Sequence, residues 1–187
     1  RLLGFAWGSS FLGFALFPAM SRQWALGQRA KATQLMNQSL LVYCFLSMPI
    51  ALAVAGFGPW VLPWITTGDY QVEPIVFIGL SVSVLALGVQ QILVYGLLLD
   101  GRGRQILLLA TLAVGLNLAL ALLLVPKLGV GGAALAAALA NLGLVTMTTR
   151  AVSAILDWCF PWRQTARIST HALLCAIPVL GLAALDL

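Results

Sequence analysis

Long apolar runs, each about the length of a membrane span, alternate along this chain with short connections that hold nearly all of its charge. Six runs stand out: Leu2 to Met20, Ser39 to Phe57, Ile75 to Leu99, Ile106 to Val125, Gly131 to Thr149, and Ala172 to the end. None has Asp, Glu, Lys or Arg in its interior, Asp186 lying near the final residue. Roughly 20 apolar residues at 1.5 Å each cover the ~30 Å hydrocarbon core, and a helix satisfies its own backbone there. The pattern predicts an all-α, polytopic membrane helix bundle with about six transmembrane helices.

Composition supports this reading. Hydrophobic residues make up 61% of the 187 and charged ones only 8%, against about a quarter in soluble domains. The charges that remain are sorted by connection. Arg22, Arg29 and Lys31 follow the first run, Arg102 and Arg104 the third, and Arg150, Arg163 and Arg167 the fifth. The second connection holds only Asp69 and Glu73, and the fourth only Lys127. Translocating Lys and Arg is disfavoured, so the basic connections are expected in the cytoplasm. The net charge of +5 is then topology and attraction to an anionic leaflet, and no nucleic-acid partner is implied.

The stretch FPAMSRQWALGQRAKATQLMNQ, residues 17–38, is where the chain is expected to reach that surface. Pro18 lacks an N–H and is expected to end or kink the first span. The segment reads as a basic amphipathic stretch, with Leu26, Leu35 and Met36 able to face lipid while Arg22, Arg29 and Lys31 face phosphate and water. It reads either as an ordinary solvated loop helix or as a segment with a lobe-coupling or gating role. The chain opens on Arg1 and enters an apolar run at once, so it is expected to be a fragment of a larger protein, forming a single membrane domain over 1–187.

Four stretches, taken together, carry a resemblance: residues 17–40 (FPAMSRQWALGQRAKATQLMNQSL), 48–70 (MPIALAVAGFGPWVLPWITTGDY), 96–105 (GLLLDGRGRQ) and 115–142 (GLNLALALLLVPKLGVGGAALAAALANL). In this order and spacing the chain resembles the C-terminal half of the multidrug/oligosaccharidyl-lipid/polysaccharide flippase superfamily, most closely its polysaccharide and O-antigen exporters. The resemblance spans most of residues 14–150. It implies that about 1–150 is the C-terminal lobe of a two-lobe fold whose N-terminal lobe is missing, with 151–187 an extra cytoplasmic connection and helix.

Each stretch also has a physical reading. Pro49 removes a backbone bond in mid-span, so a bend is expected there. Gly68-Asp69-Tyr70 reads as an external turn, and Pro126-Lys127-Leu128-Gly129 as a tight one. Gly132, Ala136 and Ala140 fall four apart, as do Gly4 and Gly8, a spacing that lets helix backbones approach closely. The family usually has two asparagines four apart before the tight turn; here Asn117 holds the first place and Ala121 the second, a departure that argues against a polar substrate track along this edge.

The polar residues within the spans, Gln90, Gln91, Asn117 and Asn141, are the functional candidates, because an amide in hydrocarbon needs a partner or a wet cleft. Interhelical hydrogen bonding accounts for any one of them; together they would line a path for sugar hydroxyls. Arg22 and Arg102, at the basic end, are candidates for first contact with a diphosphate. Catalysis finds no footing. The single His171 sits at a boundary, and Cys44, Cys159 and Cys175 are scattered, so neither a nucleophile with its base nor a metal site is indicated. The GVGG stretch follows no strand and precedes no Lys-Ser/Thr, which excludes a phosphate loop. No cofactor is expected.

The resemblance implies a transporter of the bacterial or archaeal cytoplasmic membrane that flips a polyprenyl-diphosphate-linked oligosaccharide by alternating access, in contact with membrane lipids. A drug/cation antiporter of the same superfamily and a non-transporting scaffold are the alternatives. No carboxylate lies in mid-span to couple an ion, so either that residue is in the missing half or the membrane potential acts on other charges.

Overall fold

The computed structural model describes residues 16–66, 72–156, 158, 165–167 and 170. Their regular structure is helical: a segment over 16–25 (α1), α2 over Arg29–Ile65, α3 over Pro74–Leu99 and α4 over Gly103–Leu156. Three helices are long and apolar enough to cross a membrane: Arg29–Trp64, Pro74–Leu99 and Gly103–Ile155. The sequence pattern distributes these residues over four spans. The predicted first and last spans fall mostly or wholly outside the described residues, as do the Gly68-Asp69-Tyr70 turn, the Gly4/Gly8 pair, Arg163 and His171.

The difference lies in α4. A straight helix of its 54 residues would run about 80 Å, well over twice the hydrocarbon thickness. Gly129 breaks it with φ 55° and ψ −132°, just after Pro126. A Cβ on Gly132 would run into the Leu124 carbonyl, and one on Gly143 would stand 3.3 Å from Leu116 Cδ2. Residues so far apart in a straight helix meet only if the chain doubles back, so α4 is a hairpin of two limbs, 103–128 and 130–156. The expected tight turn at Pro126–Gly129 is present.

Two other breaks share one device. At Gly101, φ 72°, Arg102 N–H donates to Leu97 O and Gly101 N–H to Leu98 O, both at 3.0 Å. At Gly27, φ 71°, Gln28 N–H donates to Gln23 O and Gly27 N–H to Trp24 O. Both are Schellman motifs, in which a left-handed residue satisfies the last helical carbonyls, and glycine takes that conformation without a Cβ penalty. The chain exits one helix and re-enters the next within a few residues.

These breaks correct the expectation for residues 17–38. The segment is a helix end, a three-residue break and the first turns of α2. Leu26 is 61% exposed, but Met36 is fully buried and Leu35 packs against the core. Arg29 lies 4.9 Å from the Trp24 ring centroid across the break. α2 includes Pro49, Pro59 and Pro63 within its length.

Packing follows from side-chain size. At the basic end Met20, Met36, Leu40, Leu93, Leu97 and Val152 are fully buried in one cluster that draws together α1, α2, α3 and the second limb of α4. Toward the other end the contact between α3 and that limb is made by small residues: a Cβ on Gly79 would come within about 3 Å of Ala134, and one on Gly131 within 2.8 Å of Ile75. Ala136 and Ala140 are buried as the four-residue spacing suggested. Glycine and alanine let the two backbones approach where hydrophobic driving force is weak. The first limb of α4, by contrast, presents Leu107, Leu112, Leu118 and Leu122 outward.

Candidate functional site

The antiparallel pair α2 and α3 meets at Tyr43 and Gly88, toward the basic end, and at Gly58 and Phe77, toward the other. Tyr43 lies against Gly88, its hydroxyl donating to the Val84 and Leu85 carbonyls at 3.3 and 3.4 Å. Above this contact is a half-open cavity of about 630 Å³. Its wall includes Tyr43 and Ala51 of α2 and Phe77, Ser81, Gln90 and Gln91 of α3, and no charged residue. The volume lies within the ~300–1,000 Å³ usual for small-molecule sites.

Two buried polar atoms of the lining residues have no partner. Ser81 is only 8% exposed and its Oγ has no hydrogen-bond partner; the buried Oε1 of Gln90 has none either. A buried unpaired hydroxyl or amide costs about 1–3 kcal/mol, so such groups call for a partner. Gln91 is exposed beside them.

The six sequence candidates therefore divide. Gln90 and Gln91 share the cavity. Asn141 does not reach it: its Nδ2 donates to Ser83 Oγ at 2.7 Å, tying the second limb of α4 to α3. Asn117 is exposed on the first limb of α4. Arg22 is exposed at the end of α1, and Arg102 donates from Nε to Asp100 Oδ2 at 2.7 Å. The four amides do not converge on one cleft among the described residues, so the expectation of a single polar path is met only by Gln90 and Gln91.

Sequence reasoning missed Ser81 and the Tyr43–Gly88 contact. It also missed Trp158, buried at 3% exposure, whose Nε1 donates to Asn37 Oδ1 near the start of α2. Serines are abundant in apolar helices and usually bond their own backbone, as Ser47 Oγ does to Tyr43 O at 2.6 Å, so nothing in the sequence marks Ser81 as different. Among the described residues no group of three His, Cys, Asp or Glu is placed to hold a metal, and Cys44 is buried.

Long apolar helices with charge confined to their ends, packed through small residues, define a polytopic membrane protein. The chain belongs to the lipid II flippase MurJ family, whose sequence model matches residues 9–185. A search of curated proteins found no match. The family is one of transporters and not of enzymes, and it lies within the superfamily the motifs resemble. The match is to the lipid II branch, and it lends no support to the polysaccharide-exporter type or to a drug/cation antiporter.

Proposed function

We propose that this chain moves lipid II, a lipid-linked peptidoglycan precursor, across the cytoplasmic membrane by alternating access, as part of a two-lobed transporter. The family match over residues 9–185 carries the reading. The basic end, with Arg22, Arg29, Lys31, Arg102, Arg104 and Arg150, lies in the cytoplasm by the positive-inside rule. Arg22 is the better of the two cationic candidates for first contact with a diphosphate: Arg102 is already paired with Asp100, whereas Arg22 is exposed and has no acid paired with it among the described residues. The close small-residue seam between α3 and α4 would hold them together while the lobe rocks as a body against its partner lobe.

Depletion of the full-length protein in its host tests this. We expect lipid II to accumulate in the inner leaflet and peptidoglycan synthesis to fall, with recovery on re-expression. The second reading, export of a surface polysaccharide precursor, rests on the motif resemblance. It would be supported instead by loss of surface glycan with lipid II unchanged.

A further inference from the structure

We propose that the seam between α3 and the second limb of α4 is a binding site for one internal water molecule, held between the Gln90 side-chain oxygen and the Thr148 hydroxyl. The site is a second polar rung in that seam, and it does not depend on what the protein carries.

Register sets the two groups opposite each other. Gln90 follows Ser83 by seven residues and Thr148 follows Asn141 by seven. Seven residues are nearly two full turns, so each lies on the same helix face as its predecessor, about 10 Å further toward the basic end. Ser83 and Asn141 are bonded across the seam at 2.7 Å. Those two faces also carry Gly79 against Ala134 on the side away from the basic end, and the fully buried Leu93, Leu97 and Val152 on the side toward it. Gln90 and Thr148 therefore face each other between packed contacts.

Both groups are polar and neither is satisfied. Thr148 is fully buried and its hydroxyl has no partner, and the buried Oε1 of Gln90 has none. A helical threonine usually bonds its own backbone, as Thr149 does by donating to Val145 O at 2.7 Å, yet Thr148 does not. Buried groups of this kind are nearly always paired, with protein or with ordered water.

Water has the matching chemistry. The amide oxygen only accepts, whereas the hydroxyl both donates and accepts. One water donates to Oε1 and shares a second bond with the hydroxyl, which pairs both groups at once; buried waters make about two to four such bonds. The packed contacts on either side leave no room for a larger molecule. A divalent cation is poorly matched, because two neutral oxygens fall short of the six or so it takes.

The test uses the full-length protein in a lipid nanodisc, at a resolution that shows ordered water. We expect a density peak within about 3 Å of both Gln90 Oε1 and Thr148 Oγ1. Thr148→Val and Gln90→Met, which keep most of the volume, should each lower the unfolding midpoint, by about 2 °C, because each leaves the opposite group with one bond fewer. The double variant should lose less than the sum. Were the two groups unbridged, each substitution would remove an unpaired polar atom and the midpoint would hold or rise. Absence of the peak, a direct Gln90–Thr148 bond in its place, or single-variant midpoints that are unchanged or raised would each overturn the proposal.

Discussion

Tyr43 fills the space over Gly88 that any larger residue would need for its Cβ, and this contact sets how closely α2 approaches α3. The phenol also reaches two α3 carbonyls, at distances that make weak bonds, so shape contributes more here than polarity. The contact closes one end of the α2–α3 cavity and abuts the buried cluster of the basic end.

Gly88→Ala should therefore destabilise the protein by about 1–3 kcal/mol, as overpacking does, because the new methyl meets the phenol directly. Gly115, on the first limb of α4, serves as the control, since a methyl added there would meet nothing within 4 Å. Gly115→Ala should be neutral or stabilise by up to about 1 kcal/mol through helix propensity. Thermal unfolding of both variants in one detergent reads the difference. Equal midpoints would show that α2 and α3 separate freely at residue 88.

The Ser83–Asn141 bond gives a second expectation. It joins two parallel segments just beyond the Gly79–Ala134 approach, where backbones are too close for large side chains to supply the contact. Ser83→Ala leaves the Asn141 amide without this partner, and Asn141→Leu removes the amide itself. Bonds between membrane helices average about 0.6 kcal/mol and reach about 1.7. A double-mutant cycle on these two positions should give a coupling in that range. A coupling near zero would assign the seam's stability to its glycines and alanines alone.

A third expectation concerns the helix breaks. Gly27 and Gly101 both take positive φ with open space around them, so alanine there meets no steric neighbour and only the backbone conformation opposes it. Each substitution should cost about 1–2 kcal/mol, the left-handed penalty of a residue with a Cβ. Asparagine, which tolerates this conformation, should recover part of the loss at either site. Unfolding midpoints of G27A, G27N, G101A and G101N make the comparison. A cost that is the same for Ala and Asn would mean the left-handed geometry is not what these glycines supply.

Apolar length is dictated by the membrane itself, so Ile75 to Leu99 is nearly the observed α3, Pro74–Leu99, whereas the helix around Ser39 to Phe57 extends past its apolar run at both ends, over Arg29–Ile65. The turn at Gly129 was readable because Pro and Gly act locally. What could not be read were relations between helices. Met36 and Leu26 are both apolar and close in sequence, yet one is buried and the other is 61% exposed, a difference set by where α1 lies against α2. Gln90 and Asn117 are both amides in apolar runs; only the placement of neighbouring helices puts one at a cavity and the other on an outer face. Partners for Asn141 and Asn37 lay 58 and 121 residues away, beyond any periodicity argument.

The Trp158–Asn37 bond leads to the last expectation. Trp158 follows α4 and is 3% exposed within the buried cluster of the basic end, so the chain leaving α4 is fastened to the first turns of α2. Its ring supplies buried area and its N–H a bond, and two substitutions separate them. Trp158→Phe keeps most of the area and should cost about 1 kcal/mol, the usual value of one hydrogen bond. Trp158→Ala empties the pocket and should cost about 3–5 kcal/mol. If the fastening also holds the basic end shut, W158A should raise the reactivity of a thiol-specific reagent with Cys44, which is buried in the same cluster, while W158F leaves that reactivity low. Reactivity raised equally in both variants would assign the closure to the Asn37 bond, and reactivity raised in neither would leave Trp158 a packing residue without control over access to the basic end.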